Sequence, residues 1–181
     1  MVIISDYILK SESDSVMKVE SRCVSFCPKC GKKLSYRDSR KRIMKQEGGK
    51  KSFLIIRRLC CPFCHTLHNE LPDCITPRKQ YSTETISGVL DEIVHPDDED
   101  SEMYPCETTM IRWHHWLMAN QIYIEEYIGH KKNDKLDSPF DFEAVPFSLD
   151  RYRKVCKNWL ESILYFVYNT GGVLASLHSF S

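Results

Sequence analysis

Apolar residues fall in short, strand-length runs over the first 70 or so positions and recur at helical spacing after position 81. The opening run, Val2-Ile3-Ile4 to Ile8-Leu9 with Asp6 between, predicts a first strand, and residues 10–21 predict a polar connection. Residues 34–46 are basic and partly alternating, and Glu47-Gly48-Gly49-Lys50 has the composition of a hairpin turn. The β-branched and aromatic run Ser52-Phe53-Leu54-Ile55-Ile56-Arg57-Arg58-Leu59 predicts the returning strand. Leu71-Pro72 and Thr76-Pro77 mark an irregular exit, after which Ser82 caps an expected helix to about Val94. A second helix is expected from Glu107, with Met110, Trp113, Leu117 and Ile124 on one face. Two prolines make 134–147 a linker. Ser148 then caps a long helix to about Tyr168, striped by Tyr152, Val155, Trp159, Ile163 and Val167 and stopped at Asn169-Thr170-Gly171-Gly172.

The chain is 181 residues long and holds nine cysteines. An odd number without an export signal argues against a disulfide framework, and no run reaches the roughly 18 to 20 apolar residues needed to cross a bilayer. A cytoplasmic location is expected. Four cysteines stand in two Cys-x-x-Cys pairs, Cys27/Cys30 and Cys61/Cys64, flanking the predicted hairpin. That spacing brings four thiolates to one tetrahedral zinc ion, a closed structural site without an open position for substrate. Gly31 permits the positive φ that the first turn needs. Cys60, His65, His68 and Cys74 are close in sequence and are taken as packing neighbours of the zinc.

Net charge is zero, but the charges are segregated. Residues 21–80 carry fifteen Lys or Arg against four Asp or Glu, whereas 81–106 carry eight acidic residues and no Lys or Arg. The basic segment suits a polyanion, and DNA is the expected partner. The candidate contacts are Lys32, Lys33, Arg37, Arg40, Lys41, Arg42, Lys45, Arg57 and Arg58 on the hairpin and Arg112 on the second helix. The helices at 83–94 and 107–120 read either as a degenerate helix-turn-helix or as a simple helical pair, because the stretch between them exceeds the usual turn. Among familiar catalytic motifs, no phosphate-cradling glycine loop, nucleophile elbow or His-Glu-x-x-His sequence occurs. The acidic run 97–102 leaves a metal-dependent nuclease as the weakest alternative.

Several of these motifs resemble a bacterial family of unknown function, common in Firmicutes and found near mobile elements. The pattern is Cys27-Pro28-x-Cys30-Gly31, Arg57-Arg58-x-x-Cys61-Pro62-x-Cys64, His68-x-x-Leu71-Pro72 and Tyr81-Ser82, then Tyr104-Pro105, Thr109 and Arg112-Trp113. The ribbon part is also similar to the N-terminal zinc-binding domain of several transposase families, although His65 stands where the second knuckle there has glycine. Those transposases continue into a domain of spaced carboxylates that has no counterpart here. The resemblance implies DNA binding by analogy.

The expected fold is α+β: a small zinc-ribbon β-hairpin module followed by a helical domain. Residues 1–80 form the ribbon with its N-terminal strand, 81–130 the helical region, and 131–181 the linker and long amphipathic helix. The leading function is a zinc-ribbon, nucleic-acid-binding accessory or regulatory protein of a mobile element or phage. The rival is a protein-interaction module docking on a transposase, polymerase or defence complex. The last helix is expected to pack within its own chain or to pair two copies as a homodimer.

Overall fold

The computed structural model describes residues 1–45, 50–96, 105–131, 142 and 147–176. The acidic run 97–102, residues 47–49 of the expected turn and most of the linker 134–147 lie outside these. Among the described residues six strands come first: β1 (Val2–Ile4), β2 (Tyr7–Ser13), β3 (Val16–Ser21), β4 (Ser35–Lys45), β5 (Lys51–Cys60) and β6 (Leu67–Pro72). Four helices follow among the same residues: α1 (Thr83–Leu90), α2 (Glu107–Lys131), α3 (Leu149–Val155) and α4 (Trp159–Asn169). The chain is α+β.

β5 organises the sheet. Along one edge it pairs antiparallel with the whole of β4, from Ser35↔Cys60 to Lys45↔Lys51. Its other edge is shared: β3 runs parallel beside its start and β6 antiparallel beside its end. β2 closes the β3 side and β1 lies parallel to β6. Two neighbours on one edge force the sheet to split and curl. The expected hairpin is therefore present, with arms of 11 and 10 residues, inside a larger sheet.

Three expectations are corrected. The connection at 10–21 is a hairpin, β2–β3, whose outward side chains are polar and solvated, so it carries little hydrophobic signal. The exit near Leu71-Pro72 ends a strand, β6, whose buried positions include the polar His68 and Glu70. The long helix at 148–168 is two helices. Cys156 is extended (φ −108°, ψ 109°) and residues 157 and 158 turn, so Val155 points into solvent at 83% exposure. Arg153 on α3 bonds Leu90 O and Asp91 Oδ1, and Trp159 Nε1 on α4 donates to Asp91 Oδ2 at 2.8 Å. Both helices are thus tied to the end of α1, which one straight helix could not satisfy.

The buried residues form three clusters, and β1 touches all of them. Val2 joins the cluster around Cys27 and Cys61, Ile4 joins the sheet cluster with Leu54, Ile56 and Leu71, and Ile3 enters the helical core. Asn169, at the end of α4, pairs with Ile3 as a strand would: it accepts from Ile3 N and donates to Ile3 O, each at 2.8 Å. The apolar side of α4 is covered by this same chain, with Trp159, Ile163 and Val167 at 1% exposure or less. Gly171 ends the helix at φ +97°, and a Cβ there would meet Pro28 O at 3.0 Å. The end of the helical half thus abuts the first cysteine turn.

Candidate metal centre and its basic surroundings

The two cysteine turns are built alike. In the first, Gly31 N donates to Cys27 O at 2.8 Å and Cys27 N to Lys32 O at 2.8 Å. In the second, His65 N donates to Cys61 O at 2.9 Å and Cys61 N to Thr66 O at 3.0 Å. Both need a left-handed residue after the second cysteine, supplied by Gly31 at φ +70° and His65 at φ +56°. The bonding of the turn holds His65 where glycine is the cheaper residue.

The turns bring Cys27, Cys30, Cys61 and Cys64 together, with all four sulfurs within 4.8 Å of one another. Cys27 Sγ lies 3.6 Å from Cys64 Sγ, and Cys30 Sγ 3.5 Å from Cys61 Sγ. A tetrahedron with metal–sulfur bonds of about 2.3 Å has edges of about 3.8 Å. The donor set and its spacing fit a thiolate-bound metal ion. None of the nine cysteines is in a disulfide, and Cys60 and Cys74 stay outside the cluster. Without a cation the thiols compete for charge. Hydrogen bonding with the Thr66 hydroxyl and amide brings the Cys64 thiol down to about 6. At Cys30 the Lys32 amide favours the thiolate, but burial and the neighbouring sulfurs prevail and push it up to about 12. A bound divalent cation removes that conflict.

His68 braces the cluster. It is buried, with Nε2 3.4 Å from Cys27 Sγ and Nδ1 2.9 Å from the Met1 amine. Burial, with the nearby amine, lowers it to about 4, so the ring is neutral. With Nδ1 accepting from the amine, Nε2–H points at the sulfur and fixes its orientation.

The basic residues divide into two kinds. Lys32, Lys33, Arg37, Arg40 and Lys41 are exposed, Arg37 at a bulge in β4. The others have internal work. Arg57 is bidentate to Glu70 at 2.5 and 2.7 Å, and Glu70, only 1% exposed, also accepts from Ser25 Oγ. Arg58 is bidentate to Asp38 across the hairpin. Arg42 donates to Lys79 O at 3.1 Å, and Lys45 Nζ sits 4.9 Å from the Tyr81 ring centroid. Arg112 is exposed on α2 and lines a cavity with Arg78 and Lys79, neither of which the sequence reading had singled out.

Residues 27–113 match the family model described as Domain of unknown function (DUF6431). The matched segment begins on Cys27, the first of the four clustered cysteines, and ends at Trp113, the seventh residue of α2, so it contains both cysteine turns, β4 to β6 and α1. It leaves out β1, which joins the three cores, and α4. No curated protein and no solved structure matches the chain. No helix among the described residues is long and apolar enough to cross a membrane.

Proposed function

We propose that the DUF6431 segment is a zinc ribbon and that this chain binds nucleic acid along β4. Zinc is favoured because four thiolates in a closed tetrahedral arrangement suit it better than oxygen-seeking cations. The observation that carries the nucleic-acid reading is the sorting of cations on the hairpin. Arg57 and Arg58 are neutralised by Glu70 and Asp38, while Arg40 and Lys41 are exposed along β4 together with Arg37, which shares Asp38 at a looser 3.8 Å, and Lys32 and Lys33 stand beside the first turn. Among the described residues β4 pairs as a strand only with β5, and apart from its end at Lys45, which bonds residues 80 and 82, its outer edge is open to a backbone of phosphates. The role as an accessory or regulator of a mobile element rests on the sequence resemblance alone.

Electrophoretic shift titration at two salt concentrations tests this reading. Affinity should fall with a log–log slope of about −0.9 per phosphate contact. Reversing Arg37, Arg40 and Lys41 to Glu should weaken binding to all sequences alike. No shift at low salt, or one indifferent to the triple reversal, would remove β4 as the interface.

A second reading has its own observation. Ile111, Met118 and Ile122 are exposed on α2, Met118 and Ile122 at 70%, and their spacing puts them along one side of the helix. Such a stripe suits a protein partner.

A further inference from the structure

Two cavities of about 440 and 450 Å³ adjoin, the first between residues 77–79 and the helices α2 and α4, the second between the first cysteine turn and the residues that follow α4, and Arg78 and Tyr168 line both. They are parts of one cleft. It runs from Lys29 and Pro28 of the first turn, past Arg78, to Lys79 and Arg112 beside α2. Among the described residues no aspartate or glutamate lines either cavity, although the chain carries as many acidic as basic residues. Arg78, Lys79 and Arg112 form no ion pair with a described carboxylate.

The walls are fixed in place. Arg42 holds the Lys79 carbonyl, while Lys45 N donates to Gln80 O at 2.6 Å and Ser82 N to Lys45 O at 2.9 Å, pinning this loop to the end of β4. Arg78 is held at φ +62°, an unfavourable conformation for a side chain of its size. On the opposite wall the Asn120 amide brackets Ala175, accepting from its N at 2.8 Å and donating to its O at 3.2 Å, and Trp116 Nε1 donates to the same oxygen at 3.0 Å. Lys79 Nζ lies 4.3 Å from the Trp116 ring centroid, and burial brings its amine down to about 8. A cation held part-buried without a counter-charge gains most when an anion arrives.

We propose that this cleft binds a phosphate ester, with Arg78, Lys79 and Arg112 around the phosphate and Lys29 at the far end of the same groove. The apolar wall of Trp113, Leu164 and Tyr168 takes the organic part of the ester. A mononucleotide and a nucleic-acid strand both carry this chemistry. The site is separate from the exposed face of β4, and the two stand or fall independently.

Calorimetric titration of the metal-loaded full chain with thymidine, thymidine 5′-monophosphate and a hexathymidylate tests it. Thymidine should not bind, whereas at least one phosphorylated probe should saturate. Lys79→Met and Arg112→Ala should each weaken that probe about tenfold or more with unchanged circular dichroism. Arg112 is exposed, so its loss should leave the fold intact. Reversing Arg37, Arg40 and Lys41 should leave the monophosphate affinity unchanged, which separates this site from β4. Tighter binding of the hexamer than of the monomer identifies a strand as the ligand, and equal binding a nucleotide. Absence of saturable binding by either phosphorylated probe, or binding indifferent to both pocket variants, overturns the proposal.

Discussion

Around the four cysteines the buried apolar cluster is small: among the described residues it holds Val2, Leu34 and Leu59 besides Cys27 and Cys61. Around α4 it runs through α1, α2, α3 and β1 and contains all three tryptophans. The first region buries too little apolar surface to hold two tight turns and a twisted hairpin, so its sulfurs must do what a core does elsewhere. The second has a close-packed interior and needs no cation. Similar local order is reached by different physics, and the two regions should fail under different insults.

The largest effect is expected at the sulfurs. Binding energies of structural zinc run to roughly 10 to 16 kcal/mol, so Cys64→Ser should cost the ribbon its fold while α4 and its partners keep theirs. Amide hydrogen exchange resolved by segment measures this: protection should vanish over β4 to β6 and persist over α4. Uniform loss would mean that the two regions form one cooperative unit through β1.

An intermediate effect is expected in the helical half. Trp159→Ala removes a buried ring and its bond to Asp91 and should cost about 3 to 5 kcal/mol in denaturant titration. Metal affinity should change little. A matching loss of metal would erase the contrast between the regions.

The smallest effect concerns Glu161, whose Oε2 is buried without a hydrogen-bond partner among the described residues. Burial raises its carboxyl above the ordinary range, assisted by Asp73, Glu84 and Asp91. The folded state therefore holds this proton more tightly than the unfolded state, and its contribution to stability falls as pH rises from about 4.3 through the raised folded value. Glu161→Gln should stabilise the protein at pH 7 by roughly 1 kcal/mol and flatten that slope. Thermal melts between pH 4 and 8 check both points, and a destabilised variant would refute the assignment.

The comparison also explains what the sequence made visible. The cysteine turns were legible because their information is local: Cys-x-x-Cys spacing, Gly31 and a strand of the right length between. The starts of α1 and α2 were legible from Ser82, Glu107 and the spacing of Met110, Trp113 and Leu117. β6 was not, because two of the four residues it buries, His68 and Glu70, are polar and reveal themselves only beside Cys27 and Arg57. The break before α4 was hidden because the apolar spacing continues through Cys156, while the bonds that bend the chain come from Asp91. Arg57 and Arg58 looked like Arg40 in sequence, since their carboxylate partners sit on other strands. The cleft was invisible for the same reason: Arg78 and Arg112 share a wall only after α1 and α2 have packed.

The central claim is that four cysteine sulfurs hold a metal ion on which the ribbon depends. Zinc-edge X-ray absorption on the full chain, with metal content measured on the same sample, tests it most directly. The account predicts one zinc per chain with four sulfurs at about 2.3 Å, and loss of β4–β6 protection on chelation. A metal-free chain with the ribbon folded, or a first shell in which nitrogen or oxygen replaces these sulfurs, would contradict it.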